Sequence, residues 1–531
     1  MWNHGWRDEV WQNLQQEWDI LIVGGGITGA GILNAAARAG LRVILVEGAD
    51  FASGTSSRSS KLVHGGFRYL RNRQFNVTYE SVRERERLLR DAPNLVTPLK
   101  FLLPTLGYPR KTADEFALGV FLYDIMAPKW AHGALSKAAN QRICPLLTTP
   151  TLQGGQYYYD AEVDDARLVL RVIQEGVRAG GTAVNYCRAE TLLKRADGRV
   201  CGVQVRDTSP AGAGRSAEIH AGVVINATGP RTDELRSQVG AEARIRKLRG
   251  SHLFFPYEKL PLPVAITLLH PRDHRALFVF PWEGVTLIGT TDLDHPRDLE
   301  ALHPEPVITP AEVTYLMEAA DFLFPESHLT TADIQSSIAG LRPIVTGGAA
   351  DPSKESRAHV LFQENGLLTI TGGKLTAYRR MAYETLEKAK SALAGKVVLH
   401  PNQPLFTNPV SALPAGMSAR TWNRLKGRYS ADAAEMADAC PPDEWAEMDQ
   451  LPALWGEIRW GARAEGVVHL DDLLLRRTRL GLTAPHGGLD WMPRIRELAQ
   501  PELGWSDDLW ADEEKRYAEL WHECYDIPKT A

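Results

Sequence analysis

The chain is poor in cysteine, has no long apolar run and carries no large excess of either charge. Its five cysteines (Cys144, Cys187, Cys201, Cys440 and Cys524) are scattered through 531 residues and form no CxxC pair. An odd, dispersed set argues against a disulfide framework or a structural zinc site and predicts reduced thiols inside a cell. No metal site is expected. No segment approaches the roughly 18 apolar residues of a membrane-spanning helix. The nearest, Phe116 to Met126, is short and carries Asp124. The opening segment, MWNHGWRDEVWQNLQQEWD, lacks the basic and apolar regions of a signal peptide. A net charge of −5 provides no electrostatic footprint for nucleic acid. Repeats and low-complexity tracts are missing too. What remains is an ordinary composition, 44% hydrophobic and 24% charged. The chain is too long for one core and predicts two or three domains.

The first strong element is the apolar run Asp19 to Val23, read as a buried parallel strand. GGGITGAG (Gly24 to Gly31) follows, then a helix closed by Gly40, then the strand LRVILV ending in Glu47. Asp165 to Ala179 reads as an amphipathic helix, and Val223 to Asn226 as another buried strand entering Ala227-Thr228-Gly229. From Gly250 to about Asp333, short β-type runs separated by prolines predict an antiparallel sheet. Gly366 to Thr371 returns to a buried strand, after which Gly372-Gly373 opens a helix. Leu399 to Gly416 contains four prolines and reads as a linker. The remainder is mostly helical.

A lone GxGxxG is weak evidence. Here a strand precedes it, a helix follows it and an acid ends the next strand. Gly24 permits the tight turn, Gly26 the approach of a pyrophosphate, and Gly29 close helix–strand packing. Ile27 and Thr28 lie in the loop ahead of the helix read over Ile32 to Ala39, whose N-terminus favours anions. Glu47 is placed to accept hydrogen bonds from ribose hydroxyls. The motif admits either FAD or NAD. The next segment, FASGTSSRSSKLVHGGFRYL (Phe51 to Leu70), separates them: a dense run of small hydroxyls and glycines suits a long cofactor and favours FAD.

At this point the chain resembles the FAD-dependent, quinone-linked glycerol-3-phosphate dehydrogenases. The resemblance rests on GGGITGAG, SGTSSRSSKLVHGGFRYL, VDDARLVL (Val163 to Leu170), INATGP (Ile225 to Pro230), GSH (Gly250 to His252), IGTTD (Ile288 to Asp292), GLRP (Gly340 to Pro343), GGKLTAYR (Gly372 to Arg379) and DDLLLRRTRLGL (Asp471 to Leu482). Two departures stand out: INATGP runs into Arg231 where many relatives carry Trp, and Phe67 replaces a smaller aliphatic residue.

The resemblance implies a mixed α/β fold. A Rossmann-like FAD-binding domain of the amino-acid-oxidase type (18–100, 151–249 and 334–395) would carry an antiparallel β substrate domain (101–150 and 250–333). A linker (396–416) would lead to a helical C-terminal domain (417–531). It also implies oxidation of sn-glycerol 3-phosphate to dihydroxyacetone phosphate, with electrons passed to a membrane quinone. Cofactor contacts would come from the glycine loop and Glu47, from Thr55, Ser56, Ser57, Ser60, Lys61 and Leu62, from Ala227 to Gly229, and from Gly373, Leu375 and Thr376.

Arg68, Arg342 and Lys374 would clamp the phosphate, guanidinium being suited to bidentate contact. Tyr69 is an added candidate contact. His64 is the leading candidate for the base that takes the hydroxyl proton, or else a polar support of the flavin; His252 competes for the base role. A peripheral position on the inner face of the cytoplasmic membrane is an expectation, with Trp2, Trp6, Trp11 and Trp18 as candidate interface residues or as core. Oligomeric state, a homodimer included, stays open, as does the role of Arg476, Arg477 and Arg479: capping, dimerisation or lipid headgroups. Alternatives are a glycerol-3-phosphate oxidase releasing hydrogen peroxide, an amine or amino-acid oxidase of the same fold, and a non-catalytic nucleotide-binding protein. Family oxidases tend to carry an inserted segment not seen here.

Overall fold

The computed structural model describes residues 2–3, 5–66, 75–107, 119–120, 132–212, 214–303, 305–346, 358–393, 397–409 and 411–528. Two sheets organise it. In the first, the parallel strands Leu367–Gly372, Ser216–Asn226, Trp18–Val23, Val43–Val46 and Thr182–Val184 lie side by side in that order. Their β-branched apolar runs are buried on both faces, as a parallel sheet covered on each side demands. His359–Glu364 adds an antiparallel edge, and the hairpin Cys187–Lys194 and Val200–Asp207 continues from the first half of Ser216–Asn226.

The helix Ile27–Arg38 packs on this sheet between the helices Asp165–Arg178 and Tyr378–Ala389. Contact with the first is close because Gly176 lacks a Cβ, which would sit 3.1 Å from the Asn34 backbone. The helix Asp165–Arg178 reads as amphipathic, but its polar face is buried as well. Arg167 pairs with Glu465, and Arg171 reaches the Gly427 carbonyl, so the C-terminal helices cover the side that periodicity would leave in water.

The second sheet has ten strands and is antiparallel except where Ala265–Leu269 meets Val96–Leu106. Its strands come from both sides of the boundaries read from the sequence. Val96–Leu106, Leu152–Val163 and Ser336–Val345 all join this sheet, although the sequence boundaries put most of these residues with the nucleotide layer. Ser336–Val345 pairs along nearly its whole length with Ile245–Pro256. Strand partners depend on contacts between distant segments, which local periodicity does not report.

The C-terminal region is helical, with one short hairpin, Glu447–Met448 and Leu451–Leu454. It shares a hydrophobic core with the large sheet: Phe254, Trp282 and Leu287 pack in one cluster with Leu473, Ile495 and Trp510. The candidate membrane tryptophans are largely taken up by internal packing. Trp2 and Trp18 are buried, Trp2 stacks on Phe51 at 5.1 Å, and Arg215 lies over Trp11. Phe116–Met126 falls outside the described residues apart from 119–120. Among the described residues no helix is long and apolar enough to cross a membrane. All five cysteines are free.

Candidate active site

Among the described residues, a cavity of about 990 Å³ runs from the carboxyl ends of the parallel strands to the face of the large sheet. At one end lies the glycine loop. Gly24 has φ 115°, and a Cβ there would stand 2.5 Å from the Ala227 carbonyl oxygen. A Cβ on Gly29 would fall 1.9 Å from the Gly24 oxygen, so Gly29 serves close packing and does not itself line the cavity. Gly26 caps the helix Ile27–Arg38 in extended conformation, with no side-chain hydrogen bond of its own, and the first-turn residues face the cavity. The Ile27 N–H donates to Ser56 Oγ at 3.0 Å, tying the hydroxyl-rich segment to the helix N-terminus.

Glu47 directly follows the strand Val43–Val46, and its half-buried carboxylate accepts from the Gly25 N–H at 2.6 Å and the Ala49 N–H at 2.9 Å. Burial raises its pKa, and these two donors oppose the rise. Such a cradle fits a dinucleotide: glycines where the backbone must approach, a helix N-terminus for the pyrophosphate, and an acid one strand away.

Thr55, Ser56, Ser60, Leu62, Ala227, Thr228, Gly229, Gly373, Leu375 and Thr376 line the same cavity. Ser57 and Lys61 do not. The Lys61 ammonium is fully buried, 3.1 Å from Asp165 and 2.9 Å from the Ser57 carbonyl, and burial lowers its pKa to about 7. These two residues turn away because the segment has a wall side and a rear side, a distinction that composition cannot make.

Arg342, Lys374 and His64 also line this cavity. Arg342 projects from Ser336–Val345 across Gly250, where a Cβ would clash with the guanidinium at 2.2 Å. It donates to Thr290 Oγ1 at 2.9 Å and to Asp292 Oδ1 at 3.1 Å. Lys374 follows two consecutive left-handed glycines, Gly372 (φ 76°) and Gly373 (φ 74°). Either Cβ would collide, with the Ala358 oxygen at 2.8 Å or with Met381 Sδ at 2.6 Å. The turn so formed directs Lys374 Nζ to Ser81 Oγ at 3.0 Å. His64 follows the short strand Leu62–Val63, its ring 6.0 Å from that of Phe278. Arg68 and Tyr69 lie outside the described residues.

His252 is not part of the cavity wall. It is buried, its Nε2 meets Ser60 Oγ at 2.9 Å, and its ring covers Gly289. Burial and the neighbouring charges of Arg342 and Lys61 hold its pKa well below the ordinary value of 6.5. The candidate base of that strand is therefore sealed behind a hydroxyl.

Several residues not singled out in the sequence line the cavity: Arg58, Arg188, Arg275, Phe278 and Asp292. Arg58 and Asp292 lie inside the motifs SGTSSRSSKL and IGTTD, a signal that was available. Arg188 and Arg275 carried none.

The profile of the FAD dependent oxidoreductases matches residues 19–379, more than half of the chain. The profile of the C-terminal domain of alpha-glycerophosphate oxidase matches 368–509. Glycerol-3-phosphate dehydrogenase 2 of Mycobacterium tuberculosis is 36% identical, over 94% of this chain and 87% of its own. The aerobic glycerol-3-phosphate dehydrogenase of Staphylococcus epidermidis is 38% identical, over 72% of this chain and 68% of its own. The solved glycerol-3-phosphate dehydrogenase of Bacillus halodurans, complexed with FAD, superimposes with a TM-score of 0.79 at 27% identity, covering 100% of both chains. The chain belongs to the FAD-dependent oxidoreductases and, within them, to the glycerol-3-phosphate dehydrogenase family.

Proposed function

We propose that this protein oxidises sn-glycerol 3-phosphate to dihydroxyacetone phosphate and delivers the electrons to a membrane quinone. The observation that supports the reading is that Arg342, Lys374 and His64 line the same cavity as the dinucleotide cradle. When bound, FAD supplies the two-electron acceptor for the substrate C–H bond. The protein has three further tasks. Arg342 and Lys374 hold the phosphate dianion and so fix the orientation of the secondary alcohol. His64 accepts the hydroxyl proton at an imidazole nitrogen; it lines the cavity, whereas His252 stands behind Ser60. The Gly372-Gly373 turn presents the Lys374–Thr376 backbone where negative charge develops. Arg68 completes the clamp by family resemblance, and Tyr69 is an added candidate contact to substrate or flavin.

The acceptor has a second reading. The C-terminal match is to a domain described from an oxidase, so oxygen is the alternative to quinone. Anaerobic mixing of the holoenzyme with sn-glycerol 3-phosphate tests the substrate. Rapid bleaching of the flavin, absent with glycerol or amino acids, is expected; a flavin that stays oxidised overturns the assignment. Slow reoxidation by air and fast reoxidation by a quinone in liposomes is the expected second half, and the reverse order favours the oxidase. A peripheral membrane position is part of the proposal, and failure to sediment with liposomes at both low and high salt would remove it.

A further inference from the structure

The segment that lines the cavity from Ser53 to Leu62 has little regular structure of its own. It contains a three-residue turn, Thr55–Ser57, and runs into a two-residue strand. Its conformation is therefore set by groups from elsewhere, and many of them come from the C-terminal helical region. Arg479 is 1% exposed and donates through Nη2 to the Ser57 carbonyl at 2.9 Å and to Asp165 Oδ1 at 3.1 Å. Asp165 Oδ2 in turn accepts from the Ser59 N–H at 3.0 Å and Ser59 Oγ at 2.7 Å. On the next residue but one from Ser56, the Arg58 guanidinium donates to Tyr525 Oη at 2.6 Å, lies over the Tyr525 ring at 5.1 Å and pairs with Glu305. The near end of the segment is gripped as well: Arg476 and Arg477 both bond the Asp50 carboxylate, three residues beyond Glu47.

These arginines reach inward because of local backbone geometry. Asp472–Arg477 is a π-helical turn with every residue buried, a rare element that recurs at functional sites. Arg479 itself sits at φ 70°, a left-handed conformation that costs a non-glycine residue free energy and persists only where its surroundings impose it. The Arg479 guanidinium pairs with the Asp164 and Asp165 carboxylates. It also satisfies a carbonyl on the rear of a cofactor-lining segment whose front carries Ser56, which in turn bonds the phosphate-facing helix.

We propose that the C-terminal helical region is part of the FAD site, with Arg479 a positioning residue that holds Ser53–Leu62 in its binding conformation and Tyr525 assisting through Arg58. Burial of all three arginines excludes the lipid-headgroup role open to them in the sequence. The inference rests on the cofactor of the family and not on the substrate proposed above, and its test uses no substrate.

The experiment compares Arg479→Met, Arg479→Lys and Tyr525→Phe with the parent holoenzyme. It reads the FAD dissociation constant by flavin fluorescence, the visible flavin spectrum, and the urea midpoint of the apoprotein. Arg479→Met is expected to raise the dissociation constant at least ~10-fold, about 1.4 kcal/mol, and to alter the fine structure of the flavin band. Arg479→Lys should recover part of both, and Tyr525→Phe should weaken binding severalfold. Lower urea midpoints with an unchanged dissociation constant and spectrum would reduce the network to interdomain cement and overturn the proposal. If Arg479→Met does not fold, Tyr525→Phe, which removes one hydroxyl, decides by the same readouts.

Discussion

Replacing Arg342 with methionine removes a guanidinium while keeping most of the apolar stem. Two effects follow from the geometry. The phosphate loses a charge-assisted, potentially bidentate donor in a cavity partly shielded from water, a loss of about 2–3 kcal/mol. The buried Asp292 carboxylate, now 3.1 Å from Arg342 Nη1, would face the phosphate without that neutralising partner and add repulsion of about 1 kcal/mol. The sum, about 3–4 kcal/mol, corresponds to a roughly 10²- to 10³-fold fall in kcat/KM for sn-glycerol 3-phosphate. The assay is anaerobic flavin reduction over a range of substrate concentrations, with inorganic phosphate as competitive inhibitor. Adding Asp292→Asn to the methionine variant should restore about fivefold, because it removes the repulsion without restoring the donor. Unchanged inhibition by phosphate in Arg342→Met would refute the clamp, and a double variant no better than the single would refute the part assigned to Asp292.

His64→Gln should lower kcat by about 10²- to 10³-fold and abolish the acidic limb of the pH–rate profile, whereas His252→Gln should keep that limb; the opposite pattern would move the base to His252. Gly29→Ala, whose Cβ would fall 1.9 Å from the Gly24 oxygen, should yield protein with little bound flavin, read as the flavin-to-protein absorbance ratio. Glu162 is held by Thr97 in the large sheet, and burial raises its pKa from 4.5 to about 7. Below pH 4.5 it is protonated folded or unfolded; between 4.5 and 7 only the folded state keeps the proton, so stability falls as pH rises through that window. Glu162→Gln should flatten this fall, worth about 1–3 kcal/mol, in urea titrations at pH 5 and pH 8, and an unchanged difference between the two would count against the raised pKa.

The nucleotide half of this protein was legible in one dimension because its determinants are local. A strand, a glycine loop, a helix start and Glu47 all lie between Trp18 and Glu47, and each glycine is required by a backbone approach that the order of the chain already implies. The Gly372-Gly373 turn before Lys374 could be read for the same reason. His252 shows where such reading stops: its motif names a histidine next to the chemistry, but strand pleat turns the ring behind Ser60, and the direction of a side chain depends on register with a strand distant in sequence. Ser57 and Lys61 repeat the lesson within a single hydroxyl-rich run. The role of Arg476, Arg477 and Arg479 could not be read at all, because their partners Asp50, Ser57 and Asp165 lie more than three hundred residues away. The sequence by itself determined the cofactor cradle and the family; tertiary structure decided which charges face the cavity and which are buried as struts, since desolvation and pairing are properties of neighbours that only the folded chain brings together.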